Sequence, residues 1–542
     1  MSIVDYAATL LVLAKALMIL VGIIFLVSGL DDFFIDIAFI VRSLYRKYFV
    51  LPKYPPLTAK QLLDQPEQHV AIMIPAWDES AVIRPMLENT LKSINYKNYT
   101  IFVGTYLNDL DTQREVDLVC AKSKQVHKIV TPHDGPTNKA DCLNWIYSGI
   151  RQYEIQKAVR FQIFVMQDCE DVIHPLCYKL FNHLMPRLDM VQLPVASLKT
   201  KWHQFTGGHY LDEFAQAHYK DMLVREALGA AIPAAGVGAA FSRKALETVC
   251  AKRNNELFSI DSLTEDYEFG YRLHEYKLRQ AFVRFSVPIT VVKRNLFTGK
   301  TVHVQKQDVV CVREYFPNKF KFSVRQKSRW VIGITLQGWV NLGWHGNLAT
   351  RYMLYRDRKS ILTNLSSLVG YLLVVLVCSM WILQALVPDA YHFPPLLEKG
   401  TLLWNVLLIN AFLFVNRVFM RGYCVYKLYD MQQALLSFPR MIWGNVINFL
   451  ATGRAIIQYL KFLKTGKFIK WDKTAHQYPG EAELTAFRRK LGDLLVDCRA
   501  ISIEQLEHAL RIQKKNPKKL GEILQELGWV PAWVLEQALR RQ

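Results

Sequence analysis

The sequence predicts an α/β domain on an open parallel sheet, inserted between membrane-crossing helices and followed by a small all-α tandem-repeat domain. Three observations carry this. The runs Val70-Ala-Ile-Met-Ile-Pro, Ile101-Phe-Val-Gly-Thr-Tyr and Phe161-Gln-Ile-Phe-Val-Met each give way to acidic residues, as buried parallel strands do where their carboxyl ends meet a ligand crevice. Apolar stretches of membrane-crossing length flank that region. Near the C-terminus, a leucine pattern recurs at an offset of 29 residues.

At 542 residues, the chain has room for three or four domains. Half of it is apolar, yet it carries a formal charge of +20, which suits anionic lipid headgroups and phosphorylated ligands. No helix-turn-helix, zinc-finger or RRM pattern is present, so nucleic acid is not an expected partner. The nine cysteines contain no CxxC pair, which points to reduced thiols facing the cytosol.

Ala7 to Leu30 is apolar but for Lys15, long enough to span. Asp31 to Val41, with acids on one side and aromatics on the other, is expected to lie along the interface as a separate helix. Arg42, Arg46 and Lys47 follow, so the positive-inside rule puts the N-terminus outside and the next domain in the cytoplasm. Ile361 to Val387 and Thr401 to Met420 are two further spans. Ala434 to Ala451 contains Pro439, Arg440, Asn445 and Asn448 and precedes a lysine series, so it reads as interfacial or re-entrant. Ile332 to Trp344 is expected as another helix on the membrane.

Acidic residues at the strand ends bring Trp77, Glu79, Asp109, Asp168, Glu170 and Asp171 toward one crevice. The chemistry that needs such a cluster is nucleotide-sugar transfer. Hard carboxylate oxygens at Asp168, Glu170 and Asp171 hold Mg²⁺ or Mn²⁺ against a diphosphate. In Thr264-Glu265-Asp266, Asp266 is the candidate general base, with Glu265 beside it in the catalytic pair; an inverting transfer needs one such base opposite the leaving group. An ordinary helix N-cap accounts for the same three residues, and the two readings are compatible. Ala235-Gly-Val-Gly supplies small residues where a sugar approaches the backbone. Lys139, Gln326 and Arg329 are candidate contacts for the nucleotide and its diphosphate. Trp330 offers a flat face for an acceptor sugar, or alternatively a membrane-interface anchor.

These stations, in the order Asp78-Glu79, Asn108-Asp109, Asp168-Cys-Glu170, Thr264-Glu-Asp266 and Gln326-x-x-Arg329-Trp330, resemble the D, DxD, TED, QxxRW signature of family 2 GT-A glycosyltransferases of the processive subgroup. The resemblance implies that Trp77 and Glu79 grip uracil, that Asp168 and Glu170 bind metal and diphosphate, and that Asp266 is the base. Asn108 stands where cellulose synthases usually have an acid. Gly29-Leu-Asp-Asp-Phe-Phe-Ile-Asp, Gly104-Thr-Tyr-Leu-Asn-Asp-Leu-Asp, Arg313-Glu-Tyr-Phe-Pro and Trp471-Asp-Lys-Thr are similar to the NfrB-type, phage-adsorption branch of bacterial inner-membrane glycosyltransferases. That branch implies a polysaccharide synthase working with an NfrA-like outer-membrane partner protein, which phages exploit.

The tail repeat pairs Lys490-Leu-Gly…Gln513 with Lys519-Leu-Gly…Gln542, two units of 24 residues joined by five. Each unit reads as two short helices that need their twin to bury their leucines, with Ser502 and Gln505 forming a capping box. The pattern resembles the MshE N-terminal domain, which implies cyclic di-GMP binding. The candidate contacts are Lys490, Leu491, Gly492, Leu495 and Gln513, then Lys519, Leu520, Gly521, Leu524 and Gln542. Arg499 stands where the second unit has Gly528, a helix-ending position that favours left-handed backbone.

The domains expected are therefore 1–50 (membrane and interfacial helices), 51–335 (GT-A domain), 336–470 (interfacial helices and two spans), 471–485 (linker) and 486–542 (cyclic di-GMP domain). The reading is an inner-membrane, inverting, processive transferase that takes a UDP-sugar (a UDP-N-acetylhexosamine by family setting) into a growing glycan. Cyclic di-GMP and inner-membrane lipids are its other partners. Three spans are few for a translocation channel, which leaves room for a homo-oligomer or for single transfer to a lipid carrier. A cyclic di-GMP-responsive scaffold is the non-enzymatic alternative.

Overall fold

A computed structural model describes residues 3–294, 301–387, 396–466, 476–484, 487, 491–498, 500–516 and 518–541. At its centre is a seven-stranded sheet. From one edge the strands run Val126–Val130, Tyr99–Thr105, Val70–Pro75, Ile163–Met166, Ala239–Ser242, Met190–Gln192 and Gln280–Phe282. The first four are parallel neighbours, and Ala239–Ser242 runs antiparallel to both strands beside it. Val70–Pro75 and Tyr99–Thr105 are buried along their whole length, as strands covered on both faces must be. The helix Lys139–Lys157 packs so closely on this sheet that a Cβ at Gly104 would lie 2.7 Å from Cys142 Sγ. A small three-stranded sheet, Val172–Ile173, Val312–Glu314 and Val195–Ser197, closes the far side of the crevice.

Among the described residues, three helices are long and apolar enough to cross a membrane, within 9–50, 348–386 and 402–428. The separate interfacial helix expected at Asp31 is not formed. Ile3–Tyr45 is one continuous helix, because its acids are neutralised by neighbouring helices rather than turned to water. Asp31 pairs with Arg356 (2.5 Å) and Lys359, and Asp32 with Lys359 (2.9 Å) and Arg356 (3.2 Å). Gly29 lets the helix pack tightly on Leu402–Leu428, where an added Cβ would meet Leu413 at 2.9 Å.

The fourth apolar stretch forms a 35-residue helix, Met431–Thr465, which is not among the three candidate spans. One face, with Gln433, Ser437, Arg440 and Gly444, is buried against the α/β domain; Leu435, Phe438, Ile457 and Leu460 are exposed. Arg440 is fully enclosed, donating to Asp212 at 2.7 Å. The stretch at 332–344 is also more than a membrane-surface helix. Phe320–Trp330 continues into a π-helical segment, Val331–Gln337, and then Gly338–Leu342. Its inner side packs on the α/β domain, while Trp339 and Trp344 stay exposed.

The tail contains the helices Leu491–Asp497, Ile503–Lys515, Leu520–Glu526 and Ala532–Arg541. Leu495, Ala509, Leu524 and Ala538, one from each helix, share a core. The Ser502–Gln505 capping box forms, and Gly528 has φ +69°.

Candidate active site

One cavity opens at the carboxyl ends of Val70–Pro75 and Ile163–Met166. Its lining includes Trp77, Glu79, Lys139, Asp168, Glu170, Glu265, Asp266, Gln326, Arg329 and Trp330. Residues from four of the five sequence stations, together with Lys139 and spread over some 250 positions, therefore meet. Lys139 sits in the first turn of its helix, behind an Asn138 cap that accepts from the Asp141 amide at 2.8 Å. The N-terminal end of that helix thus opens on the cavity and favours an anion there. Lys139 Nζ lies 2.5 Å from Asp168 Oδ1. Gly236, at φ +77°, lets both sides of the site approach its backbone: a Cβ there would stand 2.5 Å from Asp266 Oδ2 and 3.2 Å from Lys139 Nζ. The glycine segment singled out in the sequence is thus a wall between the lysine and the aspartate.

Charge is concentrated here with little water to screen it. Burial pushes Glu170 up to about 7, with Asp168 and Glu79 adding to the push and His476 opposing it. Burial and the adjacent Asp266 likewise push Glu265 up to about 7. Asp266 is raised by burial against the pull of Lys139, and Glu314 is raised by burial, Glu170 and Asp168. Burial works against the Lys139 ammonium, but Asp168, Glu265 and Asp266 outweigh it and hold the charge. Clusters of raised acids around retained cations mark sites built for chemistry rather than for stability.

Two residues grouped with the crevice do not line it. Asp109 caps its own helix and accepts the Asp78 amide at 2.6 Å, so it braces the loop that presents Trp77 and Glu79. Asp171 points into the protein, where its Oδ2 accepts the Asp168 amide at 2.9 Å, and burial raises it well above the usual carboxylate range. Thr264 stands at the N-cap position but makes no cap bond; its side chain packs where Gly333 has no Cβ. Trp330 faces inward, edge-on to Tyr210 and Phe214 at 5.9 and 6.1 Å, so it is not a membrane anchor.

Sequence reasoning missed His476, Glu314, Phe214 and Phe316, which also line the cavity. His476 Nδ1 lies 3.0 Å from Glu79 and 3.2 Å from Glu170, and those acids lift it to about 9 against burial. It follows the Trp471-Asp-Lys-Thr motif, and Glu314 belongs to Arg313-Glu-Tyr-Phe-Pro. Both motifs were noticed for their resemblance, without a role.

A divalent cation fits the donor set in part. Asp168, Glu170 and Glu314 are hard oxygen donors whose mutual repulsion a cation relieves. Among the described residues, no three His, Cys, Asp or Glu groups are already gathered at metal-ligand spacing. The fit is therefore to an ion shared between one or two carboxylates and a bound diphosphate. Gln326 Oε1 is buried at the cavity with no hydrogen-bond partner among the described residues, as expected of a group that waits for a ligand.

In the tail, Gly492 and Gly521 are buried where the paired helices touch. A Cβ at Gly492 would lie 2.6 Å from Leu506, and one at Gly521 3.0 Å from Leu535. Leu495 and Leu524 are core residues, Leu491 and Leu520 pack against them, and Lys519 is exposed. Gln513 donates to the Lys518 carbonyl at 3.2 Å. Lys490, Arg499 and Gln542 lie outside the described residues.

Residues 163–387 match the family described as glycosyl transferase family group 2. The chain is 41% identical over 538 residues to Bacteriophage adsorption protein B of Escherichia coli (strain K12), an alignment covering 99% of this chain and 72% of that protein. The chain belongs to the bacteriophage adsorption protein B family. It is similar to the same extent, with the same coverage, to Bacteriophage N4 adsorption protein B of Escherichia coli O157:H7. Among solved structures it is similar to the mannosyltransferase PcManGT from Pyrobaculum calidifontis in complex with GDP-Man and Mn²⁺, at 13% identity and TM-score 0.44, covering 80% of this chain and 99% of that one. By the family group 2 match, the protein is a glycosyltransferase.

Proposed function

We propose that this glycosyltransferase is an inverting, processive synthase of the bacterial inner membrane that builds an exopolysaccharide from a UDP-sugar and is activated by cyclic di-GMP. The observation that carries the reading is that Asp168, Lys139, Asp266 and the Gln326–Trp330 motif line one cavity. Trp77 and Glu79 bind the uridine. Lys139, Arg329 and Gln326 hold the diphosphate, the two cations as charge and the amide by hydrogen bonding. Asp168 and Glu170 hold a Mg²⁺ or Mn²⁺ with it, which supplies Lewis-acid neutralisation of the leaving group. Asp266 takes the proton from the acceptor hydroxyl. Trp330, in its aromatic cluster, gives the acceptor sugar a flat apolar face. Asp109 supports the uridine loop, and Asp171 the turn that aims Asp168.

Basic residues beside the apolar helices support a cytoplasmic side for the catalytic and tail domains by the positive-inside rule. Lys490, Gly492, Gln513, Lys519, Gly521 and Gln542 remain the candidate cyclic di-GMP contacts. A part in phage adsorption is suggested by the relatives' names, and an NfrA-like outer-membrane partner by the resemblance to the NfrB-type branch. The presence of three spans favours a second reading, one transfer to a lipid carrier, unless the protein is a homo-oligomer.

Membranes holding the protein, incubated with labelled UDP-sugars with and without cyclic di-GMP, test this. Long product that increases with the dinucleotide supports the synthase, a single added sugar supports the second reading, and no turnover overturns both. Asp266→Asn is expected to abolish transfer, by at least about 1,000-fold, while UDP still binds; retained transfer removes Asp266 as the base.

A further inference from the structure

The helix that carries the proposed base, Glu265–Glu275, is gripped by a residue that does not touch the cavity. Asp357 lies on the membrane helix Leu348–Leu386, four residues before its apolar run from Ile361. One of its oxygens, Oδ2, accepts three donors: Arg225 Nη2 at 2.8 Å, Tyr267 OH at 2.6 Å and Tyr271 OH at 3.0 Å. Arg225 is itself fixed, donating from Nε to the Ala231 carbonyl at 2.8 Å and also to the Tyr271 hydroxyl. Tyr267 and Tyr271 are four residues apart, so both meet Asp357 from one face of their helix. Both rings are nearly enclosed.

Asp266 is the residue before Tyr267, and the Tyr267 amide donates to its Oδ1 at 2.8 Å. Turning or sliding this helix therefore moves the carboxylate within the cavity. The loop leading into the helix is clamped as well. Gln337 accepts the Leu263 amide and donates to the Asp261 carbonyl, both at 3.0 Å, and Thr264 fills the space left by Gly333. Both clamps come from residues 331–357, the stretch joining Q-x-x-R-W to the membrane helix. Apolar side chains would hold a helix against its neighbour at less expense than a buried ion pair with two phenols. What the polar version adds is a fixed direction, because each hydrogen bond is satisfied in one arrangement only.

We propose that Asp357 is a positioning residue for sugar transfer, holding Asp266 in register with the acceptor through Tyr267 and Tyr271, so that the base and the foot of the membrane helix move as one body. The proposal rests on the reading of Asp266 as base. A misplacement on the order of 1 Å is enough for about a 100-fold loss, so modest loosening has a measurable effect.

Replacing Asp357 would strand the Arg225 charge and endanger folding, so the test keeps that pair and removes only the hydroxyls. In Tyr267→Phe/Tyr271→Phe, kcat for UDP release from the best-used UDP-sugar is expected to fall about tenfold or more. KM for the donor and UDP affinity by calorimetry should stay near wild type, because the strands and the Lys139 helix form the nucleotide side, while Tm falls modestly with the loss of two buried hydrogen bonds to a carboxylate. Tyr271→Phe alone, which keeps the Tyr267 bond, should recover most of the rate. An unchanged kcat in the double variant overturns the proposal. So does a parallel fall in kcat, UDP affinity and Tm, which would mark a purely structural role. Asp266→Asn run alongside separates the two failures: if it retains transfer, the base reading has failed, and if it is dead beside a fully active double variant, only the positioning role has.

Discussion

The catalytic cavity and the tail repeat both drew attention through short motifs, yet the two motifs are built of different material. In the cavity, the motif residues are charges held out of water: Asp168 on Lys139, Asp266 against the Gly236 backbone, and Glu170 and Glu265 pushed up to about 7. In the tail, the glycines and leucines of each Lys-Leu-Gly unit are occupied with packing one helix on the next. Burying several acids around one lysine gives a fold nothing that leucines would not give better, so the cavity's composition is itself an argument for chemistry. The tail's buried residues explain a repeat, and any ligand there depends on its exposed polar heads.

The strongest way to break this contrast is to remove charge from the cavity. Asp168→Asn takes away one proposed metal oxygen and the carboxylate partner of Lys139. Transfer is expected to fall at least about 100-fold, with the Mn²⁺-dependent part of UDP binding lost in calorimetry. Because a repelling carboxylate has gone from beside Glu170, Tm should hold or rise. An active Asp168→Asn protein would mean that the cluster is structural after all.

Acidity separates the regions next. Asp266 serves as a base only when ionised, and burial raises it. Its neighbour Glu265 goes from an ordinary 4.5 to about 7. The rate should therefore climb with pH, about tenfold per unit on the acid limb, and level off only above the ordinary carboxylate range, because burial raises Asp266. Folded Glu265 keeps its proton where an unfolded chain would lose it, so its contribution makes the fold less stable as pH rises from 4.5 to about 7. The exposed Glu504 of the tail goes the other way: its bond to Lys60, 2.8 Å long, lowers it to about 2. That contact is present at all ordinary pH and is lost only as pH falls through about 2. A rate profile with no acid limb above the ordinary aspartate range would exclude a raised carboxylate as the base.

How much of this was legible in the sequence depends on range. The strands at Val70, Ile101 and Phe161, the three long apolar helices and the 29-residue repeat are local patterns, and the structure has each of them. So is the order of the acidic stations that meet in the cavity. What the sequence hid was set by partners far along the chain. Asp31 and Asp32 look amphipathic until Arg356 and Lys359 are brought to them, and then the helix has no reason to break. Asp171 looks like Asp168's twin, but its side chain turns back to the amide of Asp168. His476 carries no local signal, because Glu79 and Glu170, its partners, lie more than 300 residues earlier. Asp357 is hidden in the same way, an ordinary acid in a basic flank until two tyrosines and an arginine close on it.

The finest test falls on the tail, where packing and ligand compete to explain one atom's absence. Gly492→Ala puts a Cβ 2.6 Å from Leu506 Cδ1, the mobile end of a half-buried side chain. Overpacking costs about 1–3 kcal/mol, while alanine in a helix recovers about 1 kcal/mol. The net change in tail stability should then be a loss of roughly 1 kcal/mol, read as a small shift in the tail's unfolding transition. If the glycine also allows a dinucleotide close to the backbone, cyclic di-GMP affinity measured on the full-length protein should drop about tenfold or more, well beyond what that stability change explains. If affinity is unchanged, Gly492 is there for Leu506 alone, and the ligand assignment retreats to the lysines and glutamines that flank it.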